Sequence, residues 1–289
     1  MTTRYKAQRT KYKKQSIRVG VDTGGTFTDF VFENKRQLHL FKVPSTPVDP
    51  SQAIHAGLLR ICEQLSLGLT DLEVVHGTTV GTNALLQRRG ARTALITTKG
   101  FEDVLAIGRQ ARPELYNLFA EKPPPLVEDE LRLGVAERVV ASGEVIEPLT
   151  DQELASLSER VTQARPESIA ISLLFSFLHP DHEERIASEL SLLSVPLSIS
   201  SRILPEYREY ERTSTVVINA YLQPLMGRYL RRLSESTPEQ KSKLSLRVMQ
   251  SSGGSISADL AAVEPVRTIL SGPSGGVVGA LRAASTAGF

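Results

Sequence analysis

The sequence cannot form an intramolecular disulfide, because only one of its 289 residues is cysteine, Cys62. That residue sits in SQAIHAGLLRICEQL, where apolar residues recur every three or four positions, so it is expected as a small buried residue of a helix. Such usage fits a reducing cytoplasm. No window approaches about eighteen uninterrupted apolar residues, and the first residues lack the apolar stretch of a secretory signal, so no membrane crossing is expected. Acid is missing from the start of the chain: Met1 to Arg18 holds seven Lys or Arg residues and no Asp or Glu, so the rest carries −5 against the chain's total of +2. The basic charge is therefore concentrated in a tail, residues 1–16, expected to be disordered and solvated. A mildly acidic body argues against nucleic acid as a partner. There is no fixed-period repeat and no low-complexity run.

A hydrophobic content of 40% is enough for a substantial core. Three short strands, Ile17–Val21, Thr28–Phe32 and Leu38–Val43, are separated by turns and suggest an antiparallel meander. A helix over Ser51–Leu65, a short strand at Val74–Val75 and a helix within GTTVGTNALLQRRG follow, then the buried strand ARTALITT. Phe101 to about Gln163 is less regular, with EKPPPLVEDE and a strand-like ERVVASGEVIEPL centred on a Ser-Gly turn. It suggests an insertion or cap on the core sheet. Beyond it strands and helices alternate: SIAISLLFSF, a helix over Pro180–Leu193, PLSISS, a helix over Arg212–Leu233 interrupted by Pro224, LSLRVMQ, PVRTIL, and SGPSGGVVGALRAA. Alternation after an antiparallel start indicates an α/β fold with a mixed sheet.

The densest chemistry lies in VGVDTGGTFTDFVF. A plain hairpin needs one or two residues tolerant of positive φ, and Gly24-Gly25 would satisfy that alone. The surplus is Asp22 before the glycines, Thr23, Thr26 and Thr28 around them, and Asp29 after. Glycines let backbone N–H groups approach an anion closely, threonines add donors, and a carboxylate at a strand end can position Mg²⁺ through water. The familiar strand-to-helix phosphate loop is excluded, since no Lys-Ser or Lys-Thr pair follows and the next element is a strand.

VDTGGTFTD resembles the first phosphate hairpin of the actin-like ATPase superfamily, whose fold is ribonuclease H-like. Its form, with VVHGTTVGTNALLQRRGARTALITTKGFEDVLAIGRQARPELYNL, ISLLFSFLHPDHE, ILPEYREYERTSTVVINAYLQP, VMQSSGG and ILSGPSGGVVGA, resembles the hydantoinase A/5-oxoprolinase family from Ile17 to Phe289. The resemblance implies a mixed sheet with an antiparallel N-terminal meander, flanking helices and an inserted cap region. It divides the chain into an N-terminal domain over 17–205 and the beginning of a core domain over 206–289. It also implies ATP and Mg²⁺ as cofactors and a small-molecule cyclic amide, 5-oxoproline or an N-methylhydantoin, as the partner whose ring is opened; relatives serve as ketone carboxylase subunits. Asp22 and Asp29 would be catalytic, with Asp22 holding the metal's shell, and Gly24, Gly25, Thr26 and Thr28 would surround phosphate. Family members continue past the equivalent of Phe289 into a second hairpin that closes the cleft, so a second chain or a further C-terminal region is expected to complete the site.

Other motifs carry competing readings. His76, Thr78 and Thr79 in HGTTVGTNA either cap a helix or face substrate or phosphate. Gly275 and Gly276, in the later glycine cluster, contact nucleotide or pack a helix on the sheet; a dinucleotide fingerprint lacks its spacing here. Arg109 and Arg112 either grip a carboxylate or pair on the surface. His179, His182 and Glu183 do not have the spacing of a zinc helix and fit an ordinary helix start. The run Glu206, Arg208, Glu209, Glu211 and Arg212 is expected as a solvated or salt-bridged face.

Overall fold

The computed structural model describes residues 16–46, 48–111, 114, 116, 117, 119, 122–235 and 244–289. The basic tail up to residue 15, and Arg112, lie outside the described residues. Two compact units are present: one comprises 1–77 with 232–247, the other 78–231 with 248–289.

The first unit begins with β1 (Ile17–Thr23), β2 (Phe27–Asn34) and β3 (Gln37–Pro44), paired antiparallel in sequence as expected. At the β2–β3 turn both Lys35 and Arg36 have positive φ, the geometry that matches two-residue hairpin turns to strand twist. Helix α1 (Pro50–Leu65) starts where Asp49 accepts from the backbone N–H of Ser51, with Pro50 at the first position. Its buried face, Ile54, Leu58, Ile61 and Cys62, forms the core with Val19, Val21, Phe30 and Phe32 of the strands. A Cβ at Gly57 would run into the Phe30 ring, so α1 and β2 meet closely there. Strand β4 (Leu72–Thr78) follows and lies beside β1.

The second unit continues with α2 (Val80–Leu86), β5 (Thr93–Thr98), α3 (Val104–Ile107), β6 (Arg132–Val135), β7 (Arg138–Val139), β8 (Val145–Glu147), α4 (Asp151–Ala164) and β9 (Ser168–Ser172). Next come α5 (Asp181–Leu190), β10 (Leu197–Ile199), α6 (Ser200–Ile203) and α7 (Glu209–Ser234). Strands β10, β9, β5 and β6 form a parallel sheet in that order. Side chains alternate between its faces: Ile96, Ile169 and Ile171 pack on one side with Leu157, Val161 and Ile186 of α4 and α5. Leu95 and Ala170 pack on the other with Val216, Val217 and Ala220 of α7. Both faces are covered, which is why β5 and β9 are buried along their whole length. The segment expected as an insertion or cap thus supplies β6 to the sheet and α4 to one face, while β7 and β8 form a small separate hairpin.

The last elements are β11 (Ser245–Met249), β12 (Ser255–Ser257), α8 (Ala258–Val263) and α9 (Ser271–Thr286). In the first unit the sheet runs β11-β4-β1-β2-β3. PVRTIL, expected as a strand, is instead a 3-10 turn over Pro265–Thr268. Proline at its first position fixes φ for a helical turn, and the buried Asn219 of α7 accepts from the Val266 backbone N–H, an arrangement a strand would not offer. Helix α7 also runs unbroken through Pro224. Among the described residues no helix is long and apolar enough to cross a membrane.

Candidate functional site

In the first unit the β1–β2 register places Asp22 opposite Asp29 and Thr23 opposite Thr28. Because side chains alternate, Asp22 and Asp29 share the exposed face while Thr23 and Thr28 turn inward. Burial and the neighbouring Asp29 charge raise the Asp22 pKa above its usual value. Two carboxylates on one open face form a group that gains from a divalent cation. Among the described residues no cluster of three or more His, Cys, Asp or Glu is placed to hold a metal.

The turn between the strands is closed by the Gly24 N–H donating to the Phe27 carbonyl at 3.0 Å. Neither Gly24 nor Gly25 adopts a positive φ. Left-handed freedom therefore does not explain the glycines; what they contribute is the missing Cβ. A Cβ at Gly25 would meet nothing within 4 Å, so the backbone there opens directly to solvent beside an exposed Thr26. Thr28 is fully buried, its hydroxyl 3.0 Å from the Ser45 hydroxyl, which donates to the Gly24 carbonyl at 2.8 Å. Thr28 thus braces the turn through Ser45.

Three residues of this site escaped the sequence reading. Ser45 is one. Lys42 pairs in register with Asp29, its ammonium 3.4 Å from the carboxylate and 5.4 Å from the centre of the Phe27 ring. Alternation along HLFKVPS could have placed it on that face once the pairing was known. Gly77 is the third: a Cβ there would stand 3.0 Å from Asp22 Oδ1, close enough that the carboxylate would have to give by a few tenths of an ångström. His76, next to it, is fully buried, with Nδ1 3.3 Å from the Val21 carbonyl; burial pushes its pKa down to about 4, so the ring is neutral.

In the second unit, Thr78 is buried and its hydroxyl accepts from the Val80 N–H, while Thr79 precedes α2 and its hydroxyl accepts from Asn83. Gly275 and Gly276 lie inside α9; a Cβ at Gly275 would run into Met249, whereas Gly276 faces open space. Arg109 is exposed and bonds Glu211 through Nε at 2.8 Å. Glu183 is wholly buried and accepts from the Leu173 N–H, the Ser200 hydroxyl and the Ser201 N–H. His182 Nδ1 lies 2.8 Å from the buried Glu137. The charged run expected to be solvated has one inward member: Arg212 is buried, donating to the Leu173 carbonyl at 2.6 Å and lying over the Phe177 ring. Asn219, likewise buried, bonds Ser198 and the Val263 carbonyl and so ties α7 to its surroundings.

Residues 18–192 match the model of the hydantoinase/oxoprolinase N-terminal region, and 212–289 match that of hydantoinase/oxoprolinase. The chain belongs to the hydantoinase/oxoprolinase family, and its mixed α/β architecture is of the actin-like ATPase type. It is 35% identical to the caprolactamase subunit alpha of Pseudomonas jessenii, over 90% of this chain and 39% of that protein. It is 34% identical to 5-oxoprolinase 1 of Arabidopsis thaliana, over 91% of this chain and 23% of the relative. Among solved structures, nucleotide-free acetone carboxylase, described in terms of ATP-dependent acetone carboxylation, superposes with a TM-score of 0.82 at 29% identity, covering 95% of this chain and 41% of the other. The chain spans about two fifths or less of the length of these proteins.

Proposed function

We propose that this chain carries part of the nucleotide site of an ATP-dependent enzyme that opens a cyclic amide. The observation that carries the reading is the Asp22–Asp29 pair on the open face of a hairpin whose glycines leave space rather than make a left-handed turn. Gly24, Gly25 and Thr26 would offer backbone and hydroxyl donors to phosphate, Thr28 would hold the turn, and Asp22 with Asp29 would take Mg²⁺ through its waters. Lys42, already beside Asp29, would offset phosphate charge. Separately, within the second unit, Thr79 stands as a candidate for substrate contact and Gly275 and Gly276 for nucleotide contact; His76 and Thr78, both buried, offer a substrate no surface.

An unactivated amide is a poor electrophile. ATP would supply a phosphoryl group to the amide oxygen; water would add to the carbon, the ring C–N bond would break with the nitrogen taking a proton, and a second water would hydrolyse the resulting acyl phosphate to carboxylate and phosphate. The residues of this chain would position and neutralise rather than bond covalently. A second chain or a further region would close the site. The exposed Val277, Val278 and Leu281 of α9 support such a neighbour, since clustered apolar side chains on one helix favour cover.

The likeness to acetone carboxylase supports a second reading, in which the phosphorylated species is an enolate and the product a carboxylate. Phosphate release separates the two in a preparation holding this chain and the rest of its enzyme. Dependence on a lactam such as 5-oxoproline supports the hydrolase; dependence on ketone with bicarbonate supports the carboxylase. Release that ignores both contradicts the proposal.

A further inference from the structure

The second unit contains a cavity of about 690 Å³ that the hairpin chemistry does not use. Its walls are Leu105, Ile107, Leu126 and Val217 with the proline run Pro123–Pro125, and the first turns of α7 close one side. This is the size and apolar character of a small-molecule pocket. Among the described residues, three charged ones line it: Arg109, Lys122 and Glu211. The backbone N–H of Glu211 itself and the Arg109 guanidinium hold that carboxyl below its usual pKa, so it is ionised and the described lining residues carry one net positive charge.

Arg109 is presented by a sharp turn. Gly108 and Gln110, on either side of it, both have positive φ. A Cβ at Gly108 would lie 3.6 Å from the Tyr210 ring, so the turn packs closely on α7. Only Nε of Arg109 is engaged, by Glu211 at 2.8 Å. Its two terminal nitrogens have no protein partner among the described residues, and these form the edge of the guanidinium that grips a carboxylate with two parallel hydrogen bonds. Lys122 Nζ is tied to the Ile107 carbonyl at 3.1 Å, which holds a second positive charge at the same rim. Tyr210 and Ser214, also in the lining, add hydroxyl donors.

We propose that this cavity binds a small monoanionic carboxylate with an apolar body, its carboxylate on the terminal nitrogens of Arg109 and its body against Leu105, Leu126 and Val217. A neutral molecule would leave the net charge uncompensated, and a dianion would face Glu211. The proposal stands apart from the nucleotide reading, because none of these residues belongs to the β1–β2 hairpin.

The test is isothermal titration of the whole chain with naphthylacetate and with its neutral analogue naphthylacetamide. The carboxylate is expected to bind about tenfold more tightly than the amide. Arg109→Gln is expected to erase that difference, and Glu211→Gln, which removes the competing carboxylate, to strengthen binding of the anion. Arg109 is exposed, so its substitution leaves the fold intact, which circular dichroism would verify. Equal affinity for acid and amide, no binding of either at millimolar concentration, or carboxylate binding unchanged in Arg109→Gln would each overturn the proposal.

Discussion

Asp22 and Asp29 stand directly opposite each other on β1 and β2, and a Cβ at Gly77 would stand 3.0 Å from Asp22 Oδ1. The unit thus holds two like charges together on an exposed face, although ordinary strand pairing disfavours like charges directly opposite. Lys42 offsets part of that repulsion from Asp29. A cation would relieve the rest.

Two glycines separate packing from binding. Gly57→Ala forces a Cβ into the Phe30 ring and is expected to lower the unfolding free energy by about 2 kcal/mol or more, read by urea denaturation. Gly25→Ala meets nothing within 4 Å and has no positive φ to lose, so it should leave stability within about 0.5 kcal/mol of wild type while weakening nucleotide binding. A Gly25→Ala protein that is markedly destabilised would show that this glycine serves the fold.

His76 makes stability depend on pH. Its folded pKa is about 4 against an ordinary value of 6.5, because the buried ring resists charging. Between those values the unfolded chain binds a proton that the native state does not, so stability falls as pH drops from about 6.5 toward 4, by about 3 kcal/mol in total. Denaturant curves for wild type and His76→Asn check this. The variant should be less stable at neutral pH and lose less on acidification; parallel losses in both proteins would rule out His76 as the source.

Glu183 is a buried carboxylate with three protein donors, from Leu173, Ser200 and Ser201. Glu183→Ala leaves those donors without an acceptor and is expected to cost about 3 kcal/mol, measured as a change in denaturation midpoint at constant slope. A cost below about 1 kcal/mol would mean the surrounding loop finds other acceptors.

Much of this was legible in the sequence, for physical reasons that differ by element. β1 to β3 were readable because period-two alternation and turn residues act locally, and Cys62 because helical periodicity marks a buried face. The pairing of Lys42 with Asp29 was not, since register belongs to two strands at once. PVRTIL was mistaken for a strand because a short apolar run carries no period to separate the two states, and the Asn219 contact that helps fix its turn comes from 47 residues away. Arg212 looked like one more member of a charged face; its burial depends on the Leu173 carbonyl and the Phe177 ring, which only the fold brings to it. β6 and α4 were hidden inside an irregular stretch, where a four-residue strand gives little pattern to read.

The β1–β2 hairpin is proposed to hold phosphate with a divalent cation. The most direct measurement is the melting temperature of the chain with and without Mg·ATP, for wild type and for Asp22→Ala, since a ligand that binds only the native state must raise it. A rise of a few degrees is expected for wild type, requiring Mg²⁺ and absent in Asp22→Ala. An equal rise in both proteins, or none in the wild type, would contradict it.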